Sequence, residues 1–328
     1  MTQQEFLQDL ENFLKEWHNN EPTVWVHTSG STGTPKPMQV EKTRMMASAR
    51  LTCSFLGLEE GDTALLCMPL GYIAGKMVVV RSLVAHLQLI PIAPCGHPLK
   101  GLKEAPTFAA MIPMQVYNSL QVPEERQILM NIRQLIIGGG AIDQALSDEL
   151  KNFPNPIWST YGMTETLSHI ALRRLNGPDA SEWYIPFNTV SIRLSEEGTL
   201  IIHAPEVCAD ELATNDMAEI NAKGHFRILG RKDNIINSGG IKIQIEEVEK
   251  ELKNKVSSPF LITSAPDEKF GEKIVLLYED EEEGEDIQRI CKSTLPPYWI
   301  PKQYIKIKKL PLTETGKPDR ATARQLVK

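Results

Sequence analysis

The sequence predicts an α/β protein: a large α/β domain with a β-rich subdomain, followed by a small α+β C-terminal domain. Three observations predict it. The chain has 328 residues, which suggests about two domains at roughly 150 residues each. Before residue 186, strand-like apolar runs alternate with helical patterns. After it come short strands separated by turn signals, and beyond Gly230-Arg231-Lys232-Asp233 a second alternation begins. The domain boundary falls there, giving 1–229 and 230–328.

Taken in order, Phe6, Leu10, Phe13, Leu14 and Trp17 recur at helical spacing, with acidic residues where a secretory signal would carry basic ones. This reads as a docked amphipathic helix. The runs VWVH, ALLCMP, LQLIPIA, FAAMIP, QLIIGG and PIWSTY read as strands, and the patterns over 42–56, 73–87, 113–130 and 142–152 as helices. Within VSIRLSEEGTLIIHA and DMAEINAKGHFRIL, Glu196-Glu197-Gly198 and Asn221-Ala222-Lys223-Gly224 read as hairpin turns. The second domain opens with a short hairpin through NIINSGGIKI. A helix over 244–253, strands near 258–264 and 273–279, and a helix over 285–294 follow.

With 41% hydrophobic and 23% charged residues, the chain is globular rather than disordered. No apolar run approaches the roughly 18 residues that span a bilayer, so membrane insertion is not expected. The formal charge of −7 comes from one segment, Glu279, Asp280, Glu281, Glu282, Glu283, Glu285 and Asp286, because setting those acids aside leaves 35 against 35 Lys and Arg. It reads as a solvated turn, and no basic field argues for nucleic acid. Five cysteines without C-x-x-C spacing, one of them (Cys67) in an apolar run, fit a reduced cytoplasm.

The chemistry starts at TSGSTGTPK after the first strand. Thr28, Ser29, Gly30, Ser31, Thr32, Gly33 and Thr34 offer hydroxyls and backbone N–H groups that can cradle phosphate oxygens, and Lys36 adds charge. Pro35 stands where the last glycine of G-x-x-x-x-G-K-[ST] would be, which disfavours an ordinary nucleoside triphosphatase. Further on come IIGGGAI, STYGMTET, TND, GRKDNIINSGGIKI and PLTETGKPDR.

In this order, over residues 28–328, these motifs resemble the adenylate-forming superfamily, which includes acyl- and aryl-CoA ligases, carrier-protein adenylation domains and firefly luciferases. The resemblance implies ATP, Mg²⁺ and coenzyme A as cofactors and a small carboxylic acid as substrate. It places adenine against Gly138, Gly139, Gly140 and Ala141 with Tyr161 stacked on it, beside Gly162. Glu165 would hold Mg²⁺ with Thr164 nearby. Asp216 would accept from the ribose hydroxyls and Arg231 would touch the ribose and phosphate end. Lys317 would be the catalytic ammonium, joined by Lys36 and Glu165, because attack of a carboxylate on the α-phosphate brings two anions together. Asp233 would be the hinge of a mobile C-terminal lid. Ser238, Gly239 and Gly240 would form the turn past which the pantetheine thiol enters.

Members of the superfamily usually carry well over a hundred residues before the phosphate loop, so the resemblance implies an N-terminally shortened large domain and leaves room for self-association. MPLGYIAGKMVVVRSL resembles the corresponding segment of the o-succinylbenzoate–CoA ligases of menaquinone biosynthesis. That would put Tyr72, Lys76 and Arg81 near the acid. Lys76 and Arg81 lie five positions apart, so at most one faces the substrate. Arg81 is chosen because a guanidinium matches a carboxylate bidentately and because an arginine aligns there. Other readings are another aryl- or acyl-CoA ligase, or a stand-alone carrier-protein adenylating enzyme. A non-catalytic nucleotide binder is disfavoured, since it has no chemical use for Lys36, Glu165, Asp216, Arg231 and Lys317 together.

Overall fold

A computed structural model describes residues 1–27, 37–140, 142, 144–279, 286–312 and 318–327. The chain divides into two compact units: 1–193, 201–212 and 220–227 in the first, and 194–200, 213–219 and 228–328 in the second.

The first unit opens with α1 (Gln3–His18). A capping box starts it: Thr2 Oγ1 accepts from Glu5 N, and the Glu5 carboxylate accepts from Thr2 N. Phe6, Leu10 and Phe13 are its buried face. Gln3 ties its start to Pro91 O and Ala93 N, and Glu16 accepts from Trp25 N near its end. β1 (Thr23–His27) and β2 (Pro37–Glu41) pair antiparallel, and α2 (Lys42–Leu56) ends on Gly57 in the left-handed region.

Next come β3 (Thr63–Leu66), α3 (Ile73–Val84), β4 (Gln88–Pro91) and β5 (Phe108–Met111). The single helix expected over 113–130 is two, α4 (Pro113–Leu120) and α5 (Pro123–Asn131). Pro123 brings no N–H and drives Val122 into extended backbone, so the helix cannot run through. β6 (Gln134–Ile137), α6 (Gln144–Leu150), β7 (Ile157–Gly162), β8 (His169–Arg174) and β9 (Ile185–Pro186) complete a seven-stranded sheet of order β4-β3-β5-β6-β7-β8-β9. It is parallel from β4 to β7 and antiparallel from β7 to β9. Its near-continuous apolar strands pack against helices through a core that includes Leu65, Met111, Leu135, Ile137 and Leu150. Because β5, β6 and β7 are parallel, the segments leaving their carboxyl ends share one sheet edge.

β10 (Ser191–Leu194), β11 (Thr199–His203), β12 (Leu212–Ile220) and β13 (Phe226–Arg231) form a four-stranded sheet in that order. The expected turns carry positive φ at Gly198 and Gly224. In the second unit, β14 (Ile235–Ser238) and β15 (Ile241–Gln244) make the expected hairpin, followed by α7 (Ile245–Leu252), β16 (Phe260–Asp267), β17 (Gly271–Glu279) and α8 (Ile287–Thr294). β18 (Gln303–Ile307), parallel to β17, and the short α9 (Arg320–Gln325) are additional to the elements the sequence pattern suggests. The core of this unit gathers Ile236, Ile243, Val248, Ile262 and Leu276. No described helix is long and apolar enough to cross a membrane, and all five cysteines are free thiols.

Candidate active site

Two loops leave the shared sheet edge carrying predicted residues. β6 runs into Gly138, Gly139 and Gly140. A Cβ at Gly138 would strike Thr160 Oγ1 on the neighbouring β7, so glycine lets the two strand ends approach. β7 carries Tyr161 and Gly162. The Tyr161 ring is braced by Phe226, 5.0 Å away edge-on, and by Tyr184 at 5.7 Å. Tyr184 and Phe226 stack at 5.4 Å, and the Tyr184 hydroxyl meets Ser159 Oγ at 3.0 Å. Nothing in the sequence pattern alone singled out Tyr184 or Phe226.

After Gly162 a 3₁₀ turn spans Thr164–Thr166, with Thr164 buried and Glu165 exposed. Among the described residues the Glu165 carboxylate takes no hydrogen bond. The turn closes at Leu167, whose φ of 64° and ψ of −38°, with Ser168 N donating to Thr166 O at 2.7 Å, describe a γ-turn of the rare hand. A non-glycine residue there costs about 1–3 kcal/mol and persists only where the surroundings impose it. What the turn achieves is to deliver the Ser168 hydroxyl to Arg81.

Arg81 lies on α3 at 2% exposure, so it does not snorkel. Its Nη2 donates to Ser168 Oγ at 2.5 Å, and its buried Nε has no hydrogen-bond partner among the described residues. No acid pairs with it among the described residues. Burial pulls its pKa down to about 10, which leaves it charged at neutral pH. Ser168 Oγ also meets His169 Nδ1 at 3.2 Å, and His169 Nε2 meets Thr52 Oγ1 on α2 at 3.0 Å. Burial, reinforced by the charge of Arg81, holds His169 well below the usual histidine range. Ser168, His169 and Thr52 escaped the sequence reading; the available signal was a polar Ser-His pair directly before the apolar run Ile170-Ala171-Leu172.

Lys76 faces elsewhere. Its ammonium donates to Glu16 Oε2 at 3.0 Å and Trp25 O at 2.6 Å and lies 4.7 Å from the Phe13 ring centroid, so two of its three donors and its charge are engaged in anchoring α1. Tyr72, exposed at the N-terminal end of α3, bridges to His27.

In the second unit Asp216, on β12, is 3.5 Å from Arg231 Nη1, while Arg231 Nη2 donates to Asp233 Oδ2 at 3.0 Å. Asn215 Nδ2 also reaches Asp233 Oδ2 at 3.3 Å, and Arg324 donates to Asp233 O. Ser238, Gly239 and Gly240 form the β14–β15 turn, with both glycines at positive φ and Gly239 N bonded to Phe270 O. Thr28, Ser29, Gly30, Ser31, Thr32, Gly33, Thr34, Lys36, Ala141 and Lys317 lie outside the described residues. The flanks of Lys317 are described: Leu312 pairs with Pro318, Asp319 N donates to Pro311 O at 2.9 Å, and Arg320 forks onto Glu249 at 2.6 and 2.7 Å.

Glycine turns and braced aromatic rings at the carboxyl edge of a mostly parallel sheet are where α/β proteins bind nucleotides. Residues 2–203 match the AMP-binding enzyme family, and the chain belongs to it. The 2-succinylbenzoate–CoA ligase of Listeria monocytogenes is 25% identical over 337 residues, covering 94% of this chain and 70% of that protein. An acyl-CoA synthetase (AMP-forming)/AMP-acid ligase II-like protein from Dyadobacter fermentans superimposes with a TM-score of 0.68 at 32% identity, over 98% of this chain and 95% of that one. The o-succinylbenzoate coenzyme A synthetase of Bacillus subtilis, in complex with ATP and magnesium ion, shares the fold with a TM-score of 0.75 at 22% identity, over 90% of this chain and 68% of that one.

Proposed function

We propose that the chain is an AMP-forming acid–CoA ligase that acts on 2-succinylbenzoate. One carboxylate oxygen attacks the α-phosphorus of ATP, the bond to the departing pyrophosphate breaks, and an acyl-adenylate forms. The thiolate of coenzyme A then attacks the acyl carbon and AMP leaves. Family membership and the named activity of the ligase relatives support this order of events.

This chain's residues divide the work. Tyr161, braced from behind, offers a flat face to adenine, with Gly138, Gly139 and Gly140 allowing close approach. Asp216 and Arg231 receive the ribose. Thr28–Lys36 and Lys317 supply hydroxyls, N–H groups and ammonium charge for the phosphates and for the anion–anion encounter. Glu165 fits Mg²⁺, being an exposed oxygen donor with no hydrogen bond among the described residues. No cluster of three or more His, Cys, Asp or Glu suited to a metal occurs among those residues. Glu165 would hold the ion together with substrate phosphates, and the ion would supply charge to neutralise the developing phosphate charge. The second unit is the lid, with Asp233 as its pivot and Ser238-Gly239-Gly240 lining the thiol's path. The first is a shortened version of the superfamily's large domain. The five free thiols accord with a cytoplasmic enzyme.

The observation that carries the substrate is Arg81. A guanidinium at 2% exposure, hydrogen-bonded to one hydroxyl and paired with no described acid, is costly unless an anion arrives. Succinylbenzoate activated at its succinyl carboxylate keeps a second carboxylate to supply it; a fatty acid or benzoate does not. The test is pyrophosphate release and thioester formation across a panel of aromatic and aliphatic acids with coenzyme A. Preference for 2-succinylbenzoate supports the reading. Preference for a monocarboxylate leaves only the ligase class, and thioester formation solely on a phosphopantetheinyl carrier replaces coenzyme A as acceptor.

A further inference from the structure

The polar chain behind Arg81 has one direction in which every hydroxyl and imidazole hydrogen finds an acceptor within the chain. In that direction Thr52 Oγ1 gives its only hydrogen to Ser48 O at 3.2 Å rather than to His169, so toward His169 Nε2 at 3.0 Å it accepts, and the imidazole hydrogen sits on Nε2. His169 Nδ1 then carries a lone pair and accepts from the Ser168 hydroxyl at 3.2 Å. Ser168 Oγ, its hydrogen spent, is left to accept from Arg81 Nη2 at 2.5 Å. Arginine can only donate, so the order Arg81 to Ser168 to His169 to Thr52 to Ser48 O is self-consistent from end to end. Two features hold the middle link in place. The γ-turn at Leu167 aims Ser168 inward, and Gly162 carries no Cβ because one would overlap Ser168 O and His169 Cα. The chain terminates on a backbone carbonyl of α2, and no carboxylate of the described residues enters it. Its far end is the buried Nε of Arg81, which has no hydrogen-bond partner among the described residues.

We propose that Thr52 and His169 are positioning residues for Arg81: through Ser168 they hold one Nη2 hydrogen of the guanidinium without neutralising it and leave its Nε hydrogen to the second carboxylate of the acid substrate. This rests on the dicarboxylate reading above. An acid in place of His169 would supply the missing charge from the protein and remove the discrimination. A hydrocarbon in place of Thr52 would strip the Nε2 hydrogen of its acceptor and favour the other tautomer. That tautomer turns a second N–H toward Ser168 and competes with Arg81 for its oxygen.

The test compares Thr52→Val, nearly isosteric but without the acceptor, with Thr52→Ser, which retains it. The readout is kcat/KM for 2-succinylbenzoate divided by that for the matching acid without the benzoate carboxylate. Thr52→Val should lower this ratio about three- to tenfold, the effect of losing one buried hydrogen bond. The loss should lie in the KM for the dicarboxylate, with the KM for ATP unmoved, and Thr52→Ser should restore it. Long-range ¹⁵N–¹H correlation on the parent protein at pH 7 should show His169 neutral with its hydrogen on Nε2, a result that does not depend on any variant folding. A parent that favours the dicarboxylate while Thr52→Val keeps the full ratio overturns the positioning role alone. So does a His169 that is protonated or carries its hydrogen on Nδ1. A parent indifferent to the second carboxylate overturns the substrate reading and this role with it.

Discussion

Arg81 and His169 converge on one oxygen: Ser168 Oγ stands 2.5 Å from Arg81 Nη2 and 3.2 Å from His169 Nδ1. Two basic side chains sharing a hydroxyl inside a protein repel unless one is uncharged, and burial together with Arg81 keeps His169 from taking a proton. All the positive charge therefore sits on Arg81, whose hydrogen-bond partner among the described residues, Ser168, is neutral. Most buried arginines meet a carboxylate supplied by the chain. Here the compensating carboxylate is expected from the substrate.

Arg81→Ala should therefore cost roughly 2–5 kcal/mol in kcat/KM for 2-succinylbenzoate, the range for truncating one partner of a buried charge pair. Arg81→Lys should recover only part, because an ammonium lacks the planar fork that meets a carboxylate at two points. The KM for ATP should hardly move in either. Steady-state kinetics on both variants check this, and an Arg81→Ala enzyme that used succinylbenzoate as well as the parent would remove Arg81 from the acid site.

His169 also makes a prediction for folding. Its pKa is depressed in the folded protein, so the unfolded chain binds a proton first as pH falls through about 6.5. For a depressed base the sign is fixed: its contribution is intact above the unfolded value and is lost below it, by up to about 1.4 kcal/mol per pH unit. Denaturant titrations between pH 7.5 and 5 on the parent and on His169→Gln should show a shallower acid loss in the variant. Parallel pH profiles would mean that His169 takes up its proton in the folded state.

Glu249 and Arg320 should prove a stability pair. Their bidentate ion pair is about one-fifth exposed on each side, and Arg320 Nη1 also donates to Ile262 O. Solvent screening reduces the effect below that of a fully buried pair, and Arg320→Ala is expected to lower unfolding free energy by about 1–3 kcal/mol. Thermal unfolding of Arg320→Ala, Glu249→Ala and the double variant checks it. If the double loss equals the sum of the single losses, the two side chains are not coupled.

The parallel strands were legible because their apolar runs are bounded by turn signals, and α2 matches its expected span of 42–56. The helix over 113–130 split because its apolar spacing continues across Pro123, so that a local breaker overrode a periodicity that remains visible on both sides. Arg81 could be preferred over Lys76 from chemistry, yet the partner that engages Lys76 could not be found from sequence alone. That partner, Glu16, lies 60 positions away, and only the docking of α1 brings the two together. Ser168, His169 and Thr52 were invisible for the same reason: 117 residues separate Thr52 from His169, and no spacing rule joins them.

Asp233 sits in the 3₁₀ turn over Lys232–Asn234, with its carboxylate held by Arg231 and Asn215 and its carbonyl by Arg324. If this residue is the pivot of the lid, Asp233→Pro should stiffen it by fixing φ near −65°. Asp233→Ala removes the same side-chain contacts without the ring. The proline variant is expected to keep one half-reaction and lose the other, with alanine far milder. Unimpaired overall turnover in Asp233→Pro would place the pivot elsewhere.

The strongest separation of steps concerns Lys317. Adenylation brings the acid's carboxylate against the α-phosphate, two anions that a single ammonium can bridge in the transition state. Thioester formation needs no such bridge, since the thiolate attacks a neutral acyl carbon and a stable AMP departs. If Lys317 is carried on a swinging lid, it serves the first step alone. Removing one charge-stabilising donor from such a site typically costs about 10²–10³ in rate. Lys317→Ala is accordingly expected to lose acyl-adenylate formation by at least that factor, while still converting synthetic succinylbenzoyl-AMP and coenzyme A to thioester near the parent rate. Single-turnover measurements of each half-reaction make the comparison. Equal losses in both would show that Lys317 stays at the site throughout, and the alternating lid would have to be abandoned even if the ligase activity stood.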